Sequence, residues 1–181
     1  MLDKGETLSG KRVVMSTDGG RIRTRDYEQK KKGKKSHYKF DSPWKEPKLF
    51  VITIIDKEGK IDKKSLPIYE ATFDEKSLFD LLGQYLKALN ISEASEVQVI
   101  GDGALWIWNN AKKFLMNLGV GEDKIIETLD YYHAVEHLKR ITALLPKNKR
   151  HLKDSLFNEF KTLLWEGNFK AISEKIASTL K

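Results

Sequence analysis

Two aspartates stand where short apolar runs end in glycine. Asp18 closes the run "KRVVMSTDGG", and Asp102 closes the run "EVQVIGDG". Carboxylates on rigid strand ends are the hard oxygen ligands that Mg²⁺ and Mn²⁺ prefer. A pair of such ions can activate a nucleophile and stabilise the leaving oxygen of a phosphoryl transfer. The alternative interpretation is that each Asp-Gly pair only makes a tight turn.

A third polar cluster lies in "TLDYYHAVEHL". Asp130 ends another apolar run, and His133 follows it by three residues. His133 and His137 are four residues apart and would share a helix face, which permits a zinc-like pair. The glutamate stands just before the second histidine, so the HExxH pattern of zinc proteases is absent and zinc hydrolysis is not favoured. Because the chain has no cysteine, disulfides and thiolate metal sites are excluded.

Periodicity predicts the elements that must position these residues. Apolar residues alternate or run together in segments that end at Asp18, Ile55, Phe73, Asp102 and Asp130, as in strands. The period changes to about 3.6 residues in three places, which indicates helices. These helical segments are "DEKSLFDLLGQYLKALNI", "ALWIWNNAKKFLMNLGV" and everything from "YYHAVEHLKRITALL" onward, with breaks at Pro146 and at Trp165–Asn168.

The order of these elements predicts an α/β fold with a mixed sheet. Strands 1–3 follow one another and should be antiparallel, whereas strands 4 and 5 are reached through helices and should be parallel. A right-handed crossover would then place the strand ending at Asp102 beside the strand ending at Asp18. We expect both carboxylates at the carboxyl edge of the sheet, where open α/β sheets keep their sites. Trp106 and Trp108 are interpreted as core residues behind that edge, with base stacking as the alternative.

The excess positive charge is confined to one segment. Residues 21–48 contain eleven Lys and Arg against four Asp and Glu, and the rest of the chain carries 22 of each. A block of this kind is typical of a solvated loop, but it can also neutralise the phosphates of a nucleic acid.

No apolar run approaches the roughly 20 residues of a membrane helix, and the first residues lack the core of a signal peptide. A cytoplasmic protein with no membrane partner is therefore expected.

Four sequence blocks together resemble a known family. "STDGGRIRTR", the basic stretch that leads to "SPWKEPKLFVITIID", "VIGDGALWIWN" and "LDYYHAVEHLK" occur in the order found in bacterial insertion-sequence DDE transposases. The chain is most similar to the Kra-type family, which is distantly allied to the Mutator-like transposases. The resemblance covers residues 11–138 and implies an RNase H-like catalytic core with a two-metal Mg²⁺ or Mn²⁺ site that cleaves and joins DNA.

The resemblance also implies roles for individual residues. Asp18 and Asp102 would be catalytic and metal-binding, whereas Asp130 and His133 would support the site. DNA, as transposon ends and target, would be the partner, and the protein would associate with the nucleoid when bound to it. A homodimer formed through helical or missing regions is a further expectation. The basic residues that would contact DNA phosphates are Arg21, Arg23, Arg25, Lys30, Lys31, Lys32, Lys34 and Lys35.

The chain departs from the family pattern in its third carboxylate. The family glutamate follows a helical insertion, and this chain ends within what resembles that insertion. We therefore expect a tail at residues 1–10, a partial core at 11–138 and the start of the insertion at 139–181. Such a fragment should be inactive or very weak alone. The alternatives are a nucleic-acid-binding remnant without chemistry, or a complete RNase H-like nuclease that uses Glu159, Glu166 or Glu174.

Overall fold

The described residues fold into two compact units. A computed structural model describes residues 7–27, 40–65 and 67–179. The units are Met1–Thr128 and Leu129–Lys181, and each contains its own hydrophobic cluster. No helix among the described residues is long and apolar enough to cross a membrane.

A five-stranded mixed sheet forms the first unit. Its strands, in chain order, are β1 (Arg12–Gly19), β2 (Lys48–Ile55), β3 (Ile68–Thr72), β4 (Glu96–Gly101) and β5 (Ile125–Leu129). The spatial order is β3-β2-β1-β4-β5. The pairs β1–β2 and β2–β3 are antiparallel, whereas β1 and β4 are parallel. The prediction of a mixed α/β sheet is confirmed, and the strand ending at Asp102 lies beside the strand ending at Asp18.

Alternation along the strands determines which sheet face is buried. Val13, Met15 and Thr17 on β1 are buried, and the residues between them are only half-buried. Lys48, Phe50 and Ile52 on β2 follow the same period of two. A strand's side chains point alternately to the two faces, so these residues share one face. That face packs in one cluster with apolar residues of the helices.

Among the described residues, three α-helices accompany the sheet in the first unit, together with 3₁₀ turns at Ile91–Glu93 and Glu122–Lys124. The α-helices are α1 (Glu75–Ala88), α2 (Leu105–Trp108) and α3 (Ala111–Asn117). α1 buries Leu78, Leu82 and Leu86, which recur every four residues as the periodicity predicts. Its N-terminus is capped by the Asp74 side chain, which accepts a hydrogen bond from the Ser77 N–H at 2.8 Å.

The prediction of one continuous helix after Ala104 is wrong. The segment divides into α2 and α3 with a turn at Asn109 and Asn110. The Asn110 side-chain amide donates to the Trp106 carbonyl at 2.7 Å, and so takes an acceptor that a continuing helix would give to the backbone. The predicted end at Gly119 is confirmed, since this glycine has the left-handed φ of 89° that favours a residue without a side chain.

The second unit is helical. Its helices are α4 (Tyr131–Ala143), α5 (Lys153–Trp165) and α6 (Phe169–Thr179), with a 3₁₀ segment at Lys147–Leu152. They enclose a cluster centred on Phe160, which is 0% exposed. The helix breaks predicted at Pro146 and at Trp165–Asn168 are confirmed. Its assignment as the start of an insertion stays a prediction.

A short two-stranded ribbon connects β1 to β2. Ile22–Arg23 pairs with Trp44–Lys45, and Asp26–Tyr27 pairs with Phe40–Asp41, both antiparallel. We call residues 21–27 and 40–45 the ribbon. Because it continues the hairpin formed by β1 and β2, it starts at the sheet edge where β1 ends, directly after Gly20.

Candidate active site

The register of β1 and β4 brings Asp18 and Asp102 to one edge. The parallel pairing runs from Arg12 opposite Glu96 to Thr17 opposite Gly101. Asp18 directly follows Thr17, and Asp102 directly follows Gly101. Neighbouring strands in a sheet lie about 4.8 Å apart. Two aspartates that are 84 residues apart in the sequence therefore stand at the carboxyl ends of two adjacent parallel strands.

The backbone of Asp18 is held by β2. Asp18 lies opposite Leu49, and Gly19 lies opposite Lys48, so the antiparallel ladder continues past the last pair with β4. The side chain is exposed, and its Oδ1 accepts a hydrogen bond from the Gly19 N–H at 2.7 Å. Asp18 thus presents a solvent-facing carboxylate from a backbone that strand pairing keeps rigid.

The position of Asp102 is set by a turn and by a tryptophan. Its Oδ1 accepts from the Ala104 N–H at 2.9 Å, as in an Asx-turn. The Trp108 indole N–H donates to the Asp102 carbonyl oxygen at 2.6 Å. Both contacts tie the end of β4 to the start of α2, and the carboxylate is half-buried between them. Trp106 and Trp108 pack against the main core cluster, which accords with their interpretation as core residues.

Trp108→Phe should loosen this junction. The phenylalanine ring can fill much of the same space, but it cannot donate to the Asp102 carbonyl. We expect the free energy of unfolding to fall by about 0.5–1.5 kcal/mol, the usual net contribution of one hydrogen bond. Urea denaturation followed by circular dichroism measures this. Trp165→Phe, at a position 77% exposed in the second unit, is the matched control and should change little. Equal effects of the two substitutions would contradict the assigned role of the indole N–H.

Sequence reasoning missed a buried lysine at the same edge. Lys48 is 8% exposed, and its Nζ lies 3.5 Å from Glu46 Oε2 and 5.0 Å from the centre of the Trp106 ring. It stands opposite Gly19 on the neighbouring strand. The only hint in the sequence is a lysine at the start of the continuous apolar run "KLFVITII". Side chains alternate between the two faces of a sheet, so Lys48 shares the buried face with Thr17, and the exposed Asp18 side chain lies on the other face.

Gly101 has a packing role. A Cβ at this position would lie 3.0 Å from Ile107 Cδ1 and 3.1 Å from its Cγ2. Ile107 is fully buried, so the glycine at 101 lets α2 pack closely against the end of β4. Gly103 has open space around it, since a Cβ there would meet nothing within 4 Å.

The two aspartates fit one hard divalent cation. Mg²⁺ is usually held by one or two carboxylates together with water and substrate phosphate. Within residues 7–27, 40–65 and 67–179, no group of three or more His, Cys, Asp or Glu could hold a metal ion. Asp18 and Asp102 supply two carboxylates, a number by which Mg²⁺ is commonly held.

Asp130 and His133 belong to the second unit. Asp130 caps α4, because its Oδ1 accepts from the Tyr132 N–H at 2.8 Å and from the His133 N–H at 3.2 Å. The His133 and His137 rings face one another with centres 5.1 Å apart, as their spacing predicts. A capping role for Asp130 explains its position before the helix. Its predicted support of the site stays a prediction.

The predicted DNA-binding residues divide into two sets. Arg21, Arg23 and Arg25 are exposed on the ribbon, two or more residues past Gly19. The lysines Lys30, Lys31, Lys32, Lys34 and Lys35 lie outside the described residues.

The three late glutamates lie in the second unit and are exposed. Glu159 is paired with Lys175, and Glu174 lies 3.9 Å from Lys170 across one helical turn. The four-residue spacing of Lys170 and Glu174 is ordinary for an ion pair on a solvated helix. A role for any of them as a third carboxylate stays an expectation.

Comparisons with known proteins give little further guidance. No protein-family model and no curated protein matches the chain. Among solved structures, RNase H1 from the halophilic archaeon Halobacterium salinarum NRC-1 is similar at 15% identity and a TM-score of 0.34, over 66% of this chain and 85% of that one. A likeness this weak carries no argument, so the sheet and the strand-end carboxylates bear the functional conclusion.

Proposed function

We propose that the first unit is an RNase H-like nucleic-acid-processing core that cleaves and transfers DNA strands in the manner of Kra-type DDE transposases. The observation that carries the proposal is the convergence of Asp18 and Asp102 at the ends of adjacent parallel strands. Transposon ends and target DNA would be the substrates.

The sheet topology supports this proposal. Antiparallel pairing of β1, β2 and β3 and parallel pairing of β1 with β4 agree with the strand order that the family resemblance implies. In that order, the first and fourth strands are neighbours even though two strands and a helix separate them in the chain. A mixed sheet of this order places the two Asp-Gly motifs at neighbouring strand ends.

In this proposal, the residues at the carboxyl edge of the sheet have separate roles. Asp18 and Asp102 would hold Mg²⁺ or Mn²⁺, singly or as a pair completed by further donors. The bound ions would supply activation of the attacking water and stabilisation of the leaving oxygen. The ribbon arginines would hold the phosphate backbone so that one phosphodiester lies against the two carboxylates.

Metal-dependent nicking tests the proposal. Purified protein is incubated with supercoiled plasmid DNA and, separately, with an RNA–DNA hybrid, in Mg²⁺, Mn²⁺ or EDTA. We expect slow DNA nicking that requires the divalent ion, because a third carboxylate does not accompany the pair among the described residues. Preferential cleavage of the hybrid would favour the complete RNase H-like nuclease. Absence of metal-dependent cleavage on both substrates, under conditions where the protein binds them, would reject the catalytic proposal.

A binding module without chemistry is the second candidate. The exposed arginines of the ribbon favour it, because they can contact phosphates without any bound metal. This candidate predicts DNA affinity that is insensitive to Asp18→Ala and Asp102→Ala.

Neutralising the ribbon arginines should reduce the salt dependence of DNA binding. Each lost phosphate contact lowers the slope of log K against log salt by about 0.9 on duplex DNA. We therefore expect the triple Arg→Gln variant at positions 21, 23 and 25 to show a clearly shallower slope in fluorescence anisotropy titrations. The control is a triple Lys→Gln variant at exposed positions 57, 63 and 64, which removes the same net charge. If both variants lose slope equally, net charge and not the ribbon governs binding.

A further inference from the structure

The ribbon carries two exposed arginine–aromatic stacks. Arg21 Cζ lies 5.6 Å from the centre of the Trp44 ring, and Arg25 Cζ lies 5.0 Å from the centre of the Phe40 ring. Trp44 is 60% exposed and Phe40 is 46% exposed. Neither aromatic side chain belongs to the two hydrophobic clusters of the described residues. Both rings are thus partly accessible to solvent on the ribbon.

A cleft lies along the same ribbon. It has a volume of about 430 Å³ and is lined by Arg23, Arg25, Phe40 and Ser42. Ligand sites commonly span about 300–1,000 Å³, so the cleft can accept a group the size of a nucleoside. Among the described residues, its lining combines one aromatic face with two guanidinium groups. This combination is complementary to a flat aromatic group attached to an anion.

We propose that the ribbon binds unpaired nucleobases of single-stranded DNA, with Trp44 and Phe40 as stacking surfaces and the ribbon arginines on the adjoining phosphates. The proposal rests on the proposed function, because it names the form of nucleic acid that reaches the Asp18–Asp102 edge. Aromatic side chains and basic groups interleaved in this way are the general means of holding single strands, since every base has a face that can stack.

The position of the ribbon would bring bound DNA close to Asp18. The ribbon begins directly after Gly20, and Gly20 N–H donates to the Pro47 carbonyl at 2.9 Å at its base. A strand stacked on Trp44 and Phe40 would therefore leave the ribbon at the end of β1, where Asp18 lies. Paired bases are already stacked within a duplex and cannot use these rings without opening. The ribbon should consequently prefer frayed or single-stranded DNA to intact duplex.

Binding to three DNA probes in EDTA tests the proposal without any cleavage chemistry. The probes are a fluorescent 20-nucleotide single strand, the matching duplex and an abasic strand of the same length and charge. One stacked base contributes about 1–3 kcal/mol, so Trp44→Ala should weaken single-strand binding by about 5- to 150-fold. Phe40→Ala should act in the same direction. Duplex and abasic binding should change by less than about twofold, since these probes offer backbone contacts alone.

Conservative variants separate stacking from folding. Trp44→Phe and Trp44→Tyr should restore most of the single-strand affinity, whereas Trp44→Leu should not. Tyr69→Ala is the matched control, because Tyr69 is 73% exposed on β3 outside the ribbon. An equal loss on all three probes, or full affinity in Trp44→Ala, would overturn the stacking proposal. Neither result would bear on metal-dependent nicking, so failure here is distinguishable from failure of the proposed function.

Discussion

Asp18→Asn and Asp102→Asn should each reduce metal-dependent nicking by at least about 100-fold. A Lewis-acidic ion contributes several kcal/mol of transition-state stabilisation, and each 1.36 kcal/mol corresponds to a factor of about ten in rate. Asparagine keeps the size of aspartate and its Oδ1. It can still accept the Ala104 N–H at position 102 and the Gly19 N–H at position 18. The fold should therefore persist while the negative charge that attracts the cation is lost.

Mn²⁺ binding measured by electron paramagnetic resonance gives an independent readout of the same site. Wild-type protein should bind the ion in the absence of DNA, and each asparagine variant should bind it at least about tenfold more weakly. Asp80→Asn removes an exposed carboxylate from α1 and is the matched control. If both asparagine variants retain Mn²⁺ binding and nicking, the metal site lies elsewhere and the proposed role of the strand ends is wrong.

The sequence allowed prediction of the strands that carry the site because a short apolar run ends at each Asp-Gly pair, and in the structure burial alternates along both strands. Val13, Met15 and Thr17 differ from their neighbours in burial, and Val97 and Val99 repeat the pattern on β4. The handedness of crossovers then limits where β4 can lie relative to β1. Adjacency of Asp18 and Asp102 thus follows from local patterns plus one topological rule.

Other features depend on contacts between distant residues and left no local signal. In the sequence, Lys48 is a charged residue next to an apolar run. Its burial follows only from the pairing with Gly19 and the approach of Trp106. The stacks on the ribbon require Arg21 and Trp44 to meet across a two-residue ladder. Periodicity reports the environment of one segment at a time, so it cannot identify such pairs.

The division between α2 and α3 shows a second reason for error. Helical periodicity continues through the segment, and Ile107, Ala111 and Leu115 are all buried at a spacing of four. The break comes from one side-chain hydrogen bond, made by Asn110 to the Trp106 carbonyl. Apolar spacing favours helix on both sides of this bond and does not detect it.

Ile107→Ala should produce the largest loss of stability at the site. Ile107 is 0% exposed and packs directly over Gly101, so its truncation leaves a cavity beside the end of β4. We expect the free energy of unfolding to fall by about 2–5 kcal/mol, the range for buried isoleucine or leucine truncations. Urea denaturation followed by tryptophan fluorescence measures this, because Trp106 and Trp108 flank the substituted residue.

A double-mutant cycle that combines Ile107→Ala with Gly101→Ala tests whether the Ile107 side chain packs against position 101. In the wild-type background, the new methyl group would lie 3.0 Å from Ile107 Cδ1, and this overpacking should cost about 1–3 kcal/mol. In the Ile107→Ala background the same methyl group occupies space that the truncation has opened, so its cost should fall by about 0.5–3 kcal/mol. Gly103→Ala, with open space around it, should be nearly neutral in both backgrounds. Strict additivity of the two substitutions would show that the Ile107 side chain is not what makes an alanine at position 101 unfavourable. The close packing of Ile107 over Gly101 would then not explain the glycine that precedes Asp102.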